Sequence, residues 1–186
     1  MLKYSDISLR AMVVDDKNMV RLWRNSDRVR LNMYSDHMIS PEEHERWFLR
    51  ALSDDSARYL ICEIKGRPVG FVSLKNIDPQ HGRCTWAFYM GETDVPRGAG
   101  AAMEFLSLCY AFEQLQIRKL CCEVFVFNAS VIRLHEKFGF VQEGKLAKHF
   151  LKQGKYEDVV ILAKFLDNWR ETKNALKEKC FSMDEQ

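Results

Sequence analysis

The sequence is poor in the residues that interrupt or loosen a chain. Proline occurs four times and glycine nine times in 186 residues, and no stretch is rich in Gly, Ser or Pro. That excludes a flexible linker between two domains, a low-complexity tract and a repeat array. No uninterrupted apolar segment is long enough to cross a bilayer, and Met1 to Arg10 has no apolar core of a secretory signal. The expectation is a cytoplasmic protein without a membrane partner. An excess of one charge is also missing: 28 basic and 26 acidic side chains leave a formal net charge of +2. A nucleic-acid binder would carry a larger or clustered basic excess, so nucleic acid is not an expected partner. None of the six cysteines forms a CxxC pair. With no converging ligand spacing, no metal site is expected and the thiols read as buried and free. A GxGxxG dinucleotide fingerprint is absent as well.

What remains is a balanced globular chain. Apolar residues make up 47% and charged residues 29%, which fits one domain over residues 1–186, with about 167–186 as a C-terminal helical tail. Ile7 to Val14 reads as a first strand. Asp15 or Asp16 then caps a helix whose buried stripe is Met19, Val20, Leu22 and Trp23. Ser40-Pro41-Glu42-Glu43 signals the start of a second helix, with serine as the cap and proline at the first helical position. His44, Trp47, Phe48 and Ala51 fall on one face of it. The segment 28–39 between the helices is irregular. From Arg58 the period becomes two. Strands are expected at 59–65 and 68–75, joined by a hairpin at Lys65-Gly66-Arg67, and at 83–90. A glycine-rich turn and a helix follow over 96–115. The nearly continuous apolar run 119–127 suits a central strand, with a short helix from Asn128 and two last strands about 141–151 and 156–166. The fold class is therefore α/β, a mixed sheet flanked by helices.

The informative stretch is Arg97-Gly98-Ala99-Gly100-Ala101-Ala102. It follows a strand and opens a helix, so small residues let an anion approach free backbone N–H groups at the positive end of the helix dipole. By itself such a turn is equally a tight strand-to-helix connection. About thirty residues later comes Asn128-Ala129-Ser130-Val131-Ile132-Arg133-Leu134-His135-Glu136-Lys137-Phe138-Gly139-Phe140.

Together these two segments resemble the Gcn5-related N-acetyltransferase (GNAT) superfamily. Arg97-x-x-Gly100-x-Ala102 is similar to its pyrophosphate loop, and the segment from Asn128 to Phe140 to its second cofactor element; the element order agrees over about residues 7–166. The resemblance implies a mostly antiparallel mixed sheet, with the strands around 87–90 and 123–126 splayed apart. It implies acetyl-CoA as the acetyl donor, its pantetheine arm in the opening and its pyrophosphate on the N–H groups of Gly98, Ala99, Gly100, Ala101 and Ala102 behind Arg97. Asn128 would contact the cofactor arm or cap its helix. The family usually has tyrosine where this chain has His135, and that tyrosine often protonates the departing thiolate. An imidazolium with an ordinary pKa of about 6.5 can serve a thiolate of about 8.5; a hydrogen-bonded core histidine or a plain cofactor contact are the alternatives. Glu123, the one acid in an apolar strand, is a candidate base or amine anchor, unless it faces solvent or pairs with a Lys or Arg. The backbone N–H of Met90 is a candidate oxyanion donor.

The N-terminal half should then build the acceptor pocket. Trp23-Arg24-Asn25, Asn32-Met33-Tyr34-Ser35, and His44 with Trp47 resemble the GNAT subgroup that acetylates the 4-amino group of a UDP-linked 4-amino-4,6-dideoxy sugar on the route to pseudaminic acid, which glycosylates flagellin. Ser73-Leu74-Lys75 and Ala87-Phe88-Tyr89 resemble it too. Arg24, Arg30, His44 and Lys75 are the expected diphosphate contacts, and Met33, Tyr34, Trp47 and Tyr89 the expected cover for base and sugar. Arg28 reads as a solvated charge. An acetyltransferase for protein N-termini of the ribosomal-protein type, and a non-catalytic CoA-binding sensor, are the alternatives. A homodimer through the last strand and the Trp169-containing tail stays open beside a packed terminal helix.

Overall fold

The chain builds a single seven-stranded sheet. Its first strand, β1 (Ile7–Ala11), stops short of the expected Val14. The cause is Asp16, whose buried carboxylate accepts from the Val13 N–H at 2.8 Å and takes both terminal nitrogens of Arg10. That bond turns the chain into a helical turn and leaves Val13 and Val14 exposed. Helix α1 (Lys17–Asn25) follows, buried on Val20 and Trp23; Leu22 faces outward, contrary to the expected stripe. The irregular segment contains one short helix, α2 (Asp27–Arg30). Helix α3 (Pro41–Leu52) begins where the sequence predicts, with Ser40 Oγ accepting from Glu43 N at 3.2 Å. The Glu43 carboxylate, however, binds His37 rather than closing a capping box.

Strands β2 (Arg58–Ile64) and β3 (Arg67–Asp78) meet at Lys65 and Gly66, both at positive φ, as a tight hairpin requires. Next come β4 (Arg83–Met90), α4 (Ala99–Cys109) with a widened last turn to Gln114, β5 (Lys119–Phe125) and α5 (Ala129–Lys137). A second hairpin joins β6 (Val141–Lys152) to β7 (Lys155–Phe165), and α6 (Leu166–Cys180) closes the chain. These elements come from a computed structural model that describes residues 2–182. The tail expected over 167–186 is thus a helix to Cys180, and 183–186 lie outside the described residues. No helix among the described residues is long and apolar enough to cross a membrane.

The strand order is β1-β2-β3-β4-β5-β7-β6, antiparallel except for β4 against β5. The core lies between the sheet and α4, α5 and α6, around Met103, Phe105, Leu108, Leu120 and Leu162. Trp169 of α6 is 1% exposed, stacks on Phe112 and donates its indole N–H to Glu113 at 3.0 Å. The terminal helix is therefore packed on its own chain, and Trp169 has no surface for a dimer contact. A second core, Val20, Trp23, Phe48, Ile61 and Phe71, holds α1 and α3 on the opposite face. The six cysteines are free thiols, and burial pushes those of Cys62 and Cys84 up to about 12.

A lysine is among the buried residues of the core. Lys164 on β7 is fully buried, donating to Asn168 Oδ1 at 2.6 Å. Burial lowers its pKa from 10.5 to about 8, partly opposed by the Glu104 carboxylate. Between those values the unfolded chain holds a proton that the folded chain does not, so stability rises with pH across that window. Urea unfolding at each pH checks this: from pH 8 to 10.5 the parent should gain roughly 2 kcal/mol relative to Lys164→Met.

Candidate active site

Strands β4 and β5 are paired at only three positions, Arg83↔Lys119, Cys84↔Leu120 and Thr85↔Cys121, and then diverge. Alternate residues of a strand direct their main-chain groups to opposite neighbours. Gly91 N–H bonds Val69 O on β3, so the groups of Met90 and Phe88 face the gap toward β5. The gap opens a cleft of about 360 Å³ lined by Trp86 to Met90, Gly100, Cys122 to Phe125, Asn128 and His135. Arg28, expected to be a solvated charge, reaches across its mouth and donates to Met90 O and Gly91 O, each at 2.8 Å. The Met90 carbonyl is released by the splay, and that of Gly91 lies just past the end of β4.

Helix α4 starts at the end of this cleft. Gly98 caps it at φ +93°, a conformation that favours glycine. Of the N–H groups expected to hold a pyrophosphate, two are already used: Ala99 bonds Pro96 O and Ala102 bonds Gly98 O. The side chains of Ala99 and Ala102 face the core. Gly98, Gly100 and Ala101 keep N–H groups without a backbone partner, and a Cβ placed on Gly98 or Gly100 would meet no protein atom within 4 Å. That is open space beside free donors, which fits an anion. Arg97 is exposed and lines a separate surface hollow of about 570 Å³ with Lys65 and Lys179. Asn128 stands at the start of α5 without capping the backbone; its Oδ1 accepts from Ser130 Oγ at 3.3 Å, and its residue lines the cleft.

His135 is 2% exposed, among the rings of Trp86, Phe88 and Phe140. Its Nδ1 lies 2.8 Å from Oε1 of Glu104, a fully buried carboxylate on α4. The sequence reading missed Glu104; the available signal was one acid among Ala102, Met103 and Phe105 on a helix with an apolar face. Glu123 on β5 is accessible at the cleft and accepts a hydrogen bond from the Tyr34 hydroxyl. Burial and the adjacent carboxylate raise the Tyr34 pKa, so the phenol keeps its proton.

Tyr34 connects the cleft to a second cavity of about 540 Å³ between α1, α3 and β2–β4, and both cavities share Met33, Ala87 and Tyr89. The loop carrying Met33 and Tyr34 is tied at many points. Lys152, nearly buried on β6, donates to Met33 O at 2.6 Å and pairs with Asp36 at 3.1 Å. Asn25 clasps Ile39 through both main-chain groups, and Arg24 Nη2 donates to Ser35 O and Oγ. Tyr34 itself packs between Phe125 and Phe150. The aromatic wall of the cavity is Trp47, Tyr59, Phe71 and Tyr89, with Tyr89 stacked on Phe71 at 5.2 Å.

Its charge is mostly positive. Arg24, Arg46, Arg50 and Lys75 line it, against one carboxylate, Glu43. Arg24 Nη1 is buried without a partner among the described residues. Burial lowers the Arg24 pKa; burial and then the Arg24 charge lower that of Lys75. Arg46 and Arg50 were not foreseen, although they share a helix face with Trp47. Two expected diphosphate contacts are corrected. His44 is buried with Nε2 at 2.8 Å from Lys17 O, and burial lowers its pKa, so it offers ring surface rather than charge. Arg30 is committed to Asp27 and Asp36 O. Trp23 does not line the cavity: its ring packs on Gly91 and its N–H bonds Glu92 at 2.8 Å.

Comparison with known proteins places this arrangement. Residues 6–141 match the model of the acetyltransferase (GNAT) domain. The chain belongs to that family. A prophage-derived uncharacterized N-acetyltransferase of Bacillus subtilis, YokL, is 31% identical over 82% of the chain and 86% of that protein. The spermidine N(1)-acetyltransferase of Vibrio cholerae is 24% identical over 88% of the chain and 97% of that protein. The structure of a spermidine N-acetyltransferase from the same organism, in complex with CoA and spermine, superposes with a TM-score of 0.83 at 23% identity, over 89% of this chain and 99% of that one. The GNAT member described here is an acetyl-CoA-dependent N-acetyltransferase. Both Vibrio cholerae proteins are named for a polyamine and not for pseudaminic acid synthesis.

Gly100→Val separates fold from ligand at the helix start. The Cβ it adds meets no protein atom within 4 Å, so the thermal midpoint should hold, while calorimetric affinity for CoA should fall about ten-fold or more.

Proposed function

We propose that this acetyltransferase acts on a primary amine of an anionic acceptor, best matched by a nucleotide-linked amino-deoxy sugar such as the UDP-4-amino sugar of the resembled subgroup. The observation that carries this reading is the cavity charge: four cations, one of them with a buried unpartnered N–H, face one carboxylate. A polyamine brought there meets like charge, whereas a diphosphate supplies the missing partner through charge-assisted bonds. The aromatic wall and Met33 suit a base and the apolar face of a deoxy sugar.

Acetyl-CoA, held along Phe88 and Met90 with its pyrophosphate on the free N–H groups of Gly98, Gly100 and Ala101, supplies the acyl group as a thioester. Glu123 stands where the two cavities join and takes the proton of the amine as it attacks; Tyr34, bonded to that carboxylate, holds it in place. The N–H of Met90 donates to the acyl oxygen as it gains charge. His135 gives a proton to the departing sulfur. Glu123→Gln and His135→Phe should each lower kcat about 100-fold with little change in the KM for acetyl-CoA.

The relatives' names favour a second reading, a polyamine acceptor, with Glu123 and the aromatic wall as its cation partners. Thiol release with acetyl-CoA and a UDP-4-amino-4,6-dideoxy sugar, spermidine or N-terminal peptides decides. The anionic reading expects turnover with the sugar nucleotide and a KM for it raised about ten-fold or more by Arg24→Glu. Turnover with spermidine or peptides alone overturns it, and saturable CoA binding without turnover on any amine identifies a sensor.

A further inference from the structure

We propose that Glu104 is the positioning residue for His135. It holds the imidazole by Nδ1 and so presents Nε2 to the thioester cleft. The inference rests on the reading of His135 as proton donor and adds a residue to it.

Glu104 projects from α4 into the core and is fully buried. Oε1 takes His135 Nδ1 at 2.8 Å, whereas Oε2 is buried with no hydrogen-bond partner among the described residues; burial raises the Glu104 pKa, and the bond to His135 opposes that. The nearest cation by charge effect, Lys164, spends its ammonium on Asn168 Oδ1 and Thr172 Oγ1. A half-satisfied buried carboxylate costs stability, and apolar residues of similar volume would fill such a site as well or better. Stability therefore gives no return for the pair, but orientation does. His135 Nε2 has no hydrogen-bond partner among the described residues, and the ring lines the cleft between β4 and β5. A carboxylate on one ring nitrogen fixes the tautomer, stabilises the imidazolium and leaves the other nitrogen to exchange a proton. Proton transfer from Nε2–H to the thiolate leaves a neutral imidazole, still held at Nδ1, which solvent reprotonates. The groups facing Glu104 are His135 from α5, Lys164 from β7, Cys122 from β5 and Cys180 from α6. Of these, His135 and Cys122 line the cleft, and burial raises the Cys122 pKa, so the imidazole is the group placed to give up a proton there.

The test uses the full chain as Glu104→Gln, Glu104→Leu, His135→Phe and the double variant Glu104→Leu/His135→Phe. Turnover is followed with acetyl-CoA and the fastest amine of the panel above. The histidine rings are followed by nitrogen-labelled NMR with CoA alone. Glu104→Leu should lower kcat about 10- to 100-fold, with the KM for acetyl-CoA unchanged. In Glu104→Gln the imidazolium loses its charged partner, so the alkaline limb of kcat should move to lower pH. NMR should show the Nδ1–H form of His135 in the parent and a mixture of tautomers in Glu104→Leu. The double variant should be no slower than His135→Phe. Should Glu104→Leu fail to fold, the isosteric Glu104→Gln carries the comparison, and should no amine react, the tautomer decides. Parent-like kcat and tautomer in the Glu104 variants, with His135→Phe slow, overturn this proposal and spare the donor reading. Full turnover by His135→Phe overturns both. A lower thermal midpoint with the pH limb unmoved, or additive losses in the double variant, reduce Glu104 to a structural part.

Discussion

Two neighbouring strands, β4 and β5, run parallel and let go of each other after three residues. Everything chemical in this molecule is arranged around that parting. Backbone groups that a continuous sheet would consume are left facing a gap, and an unpaired strand edge is otherwise a liability. Arg28 satisfies the freed Met90 carbonyl, and that of Gly91 beyond it, from outside the sheet, and α5 covers the gap from the core side with His135. The splay thus leaves main-chain donors and acceptors facing an open cleft, the kind of edge to which an extended, amide-bearing chain can add.

Helix α4 adds a second constraint. Its first turn presents free N–H groups beside open space, and little more than one turn further on it buries Glu104 against His135. The donor cradle and the imidazole are thereby referred to one rigid body rather than to two loops. On the acceptor side the reverse strategy holds. The segment after α2 has almost no regular structure, yet Lys152, Asn25, Arg24 and Arg30 each bind its main chain. Side-chain bonds replace the ladder that a strand would have provided.

Much of this frame was legible in the sequence because it is local. Ser40-Pro41 fixes the start of α3, Lys65-Gly66 and Gln153-Gly154 fix two hairpins through positive φ, and the span of β4 follows from its alternation. The motif with Gly100 and the segment from Asn128 pointed to two elements that the fold brings to one cleft, whereas Arg97 lines a separate hollow. What escaped depends on partners far apart in the chain. Glu104 and His135 are 31 residues apart, Arg28 and Met90 are 62, Lys152 and Met33 are 119. No window of sequence holds both ends of such a pair. Val13 and Val14 were misread for a related reason: their hydrophobicity suggested a strand, but one carboxylate bond from Asp16 outweighed it. His44 was assigned charge from its type alone, and its burial against Lys17 O removes that charge.

Gly91 and Trp23 share one volume at the end of β4. A Cβ on Gly91 would sit 2.1 Å from the indole ring, far inside any tolerable distance. The indole cannot retreat easily, since its N–H is anchored on Glu92. These two positions are therefore not free to drift separately over evolutionary time. A lineage that enlarges the first must shrink the second, so the substitutions should be found as a correlated pair rather than singly.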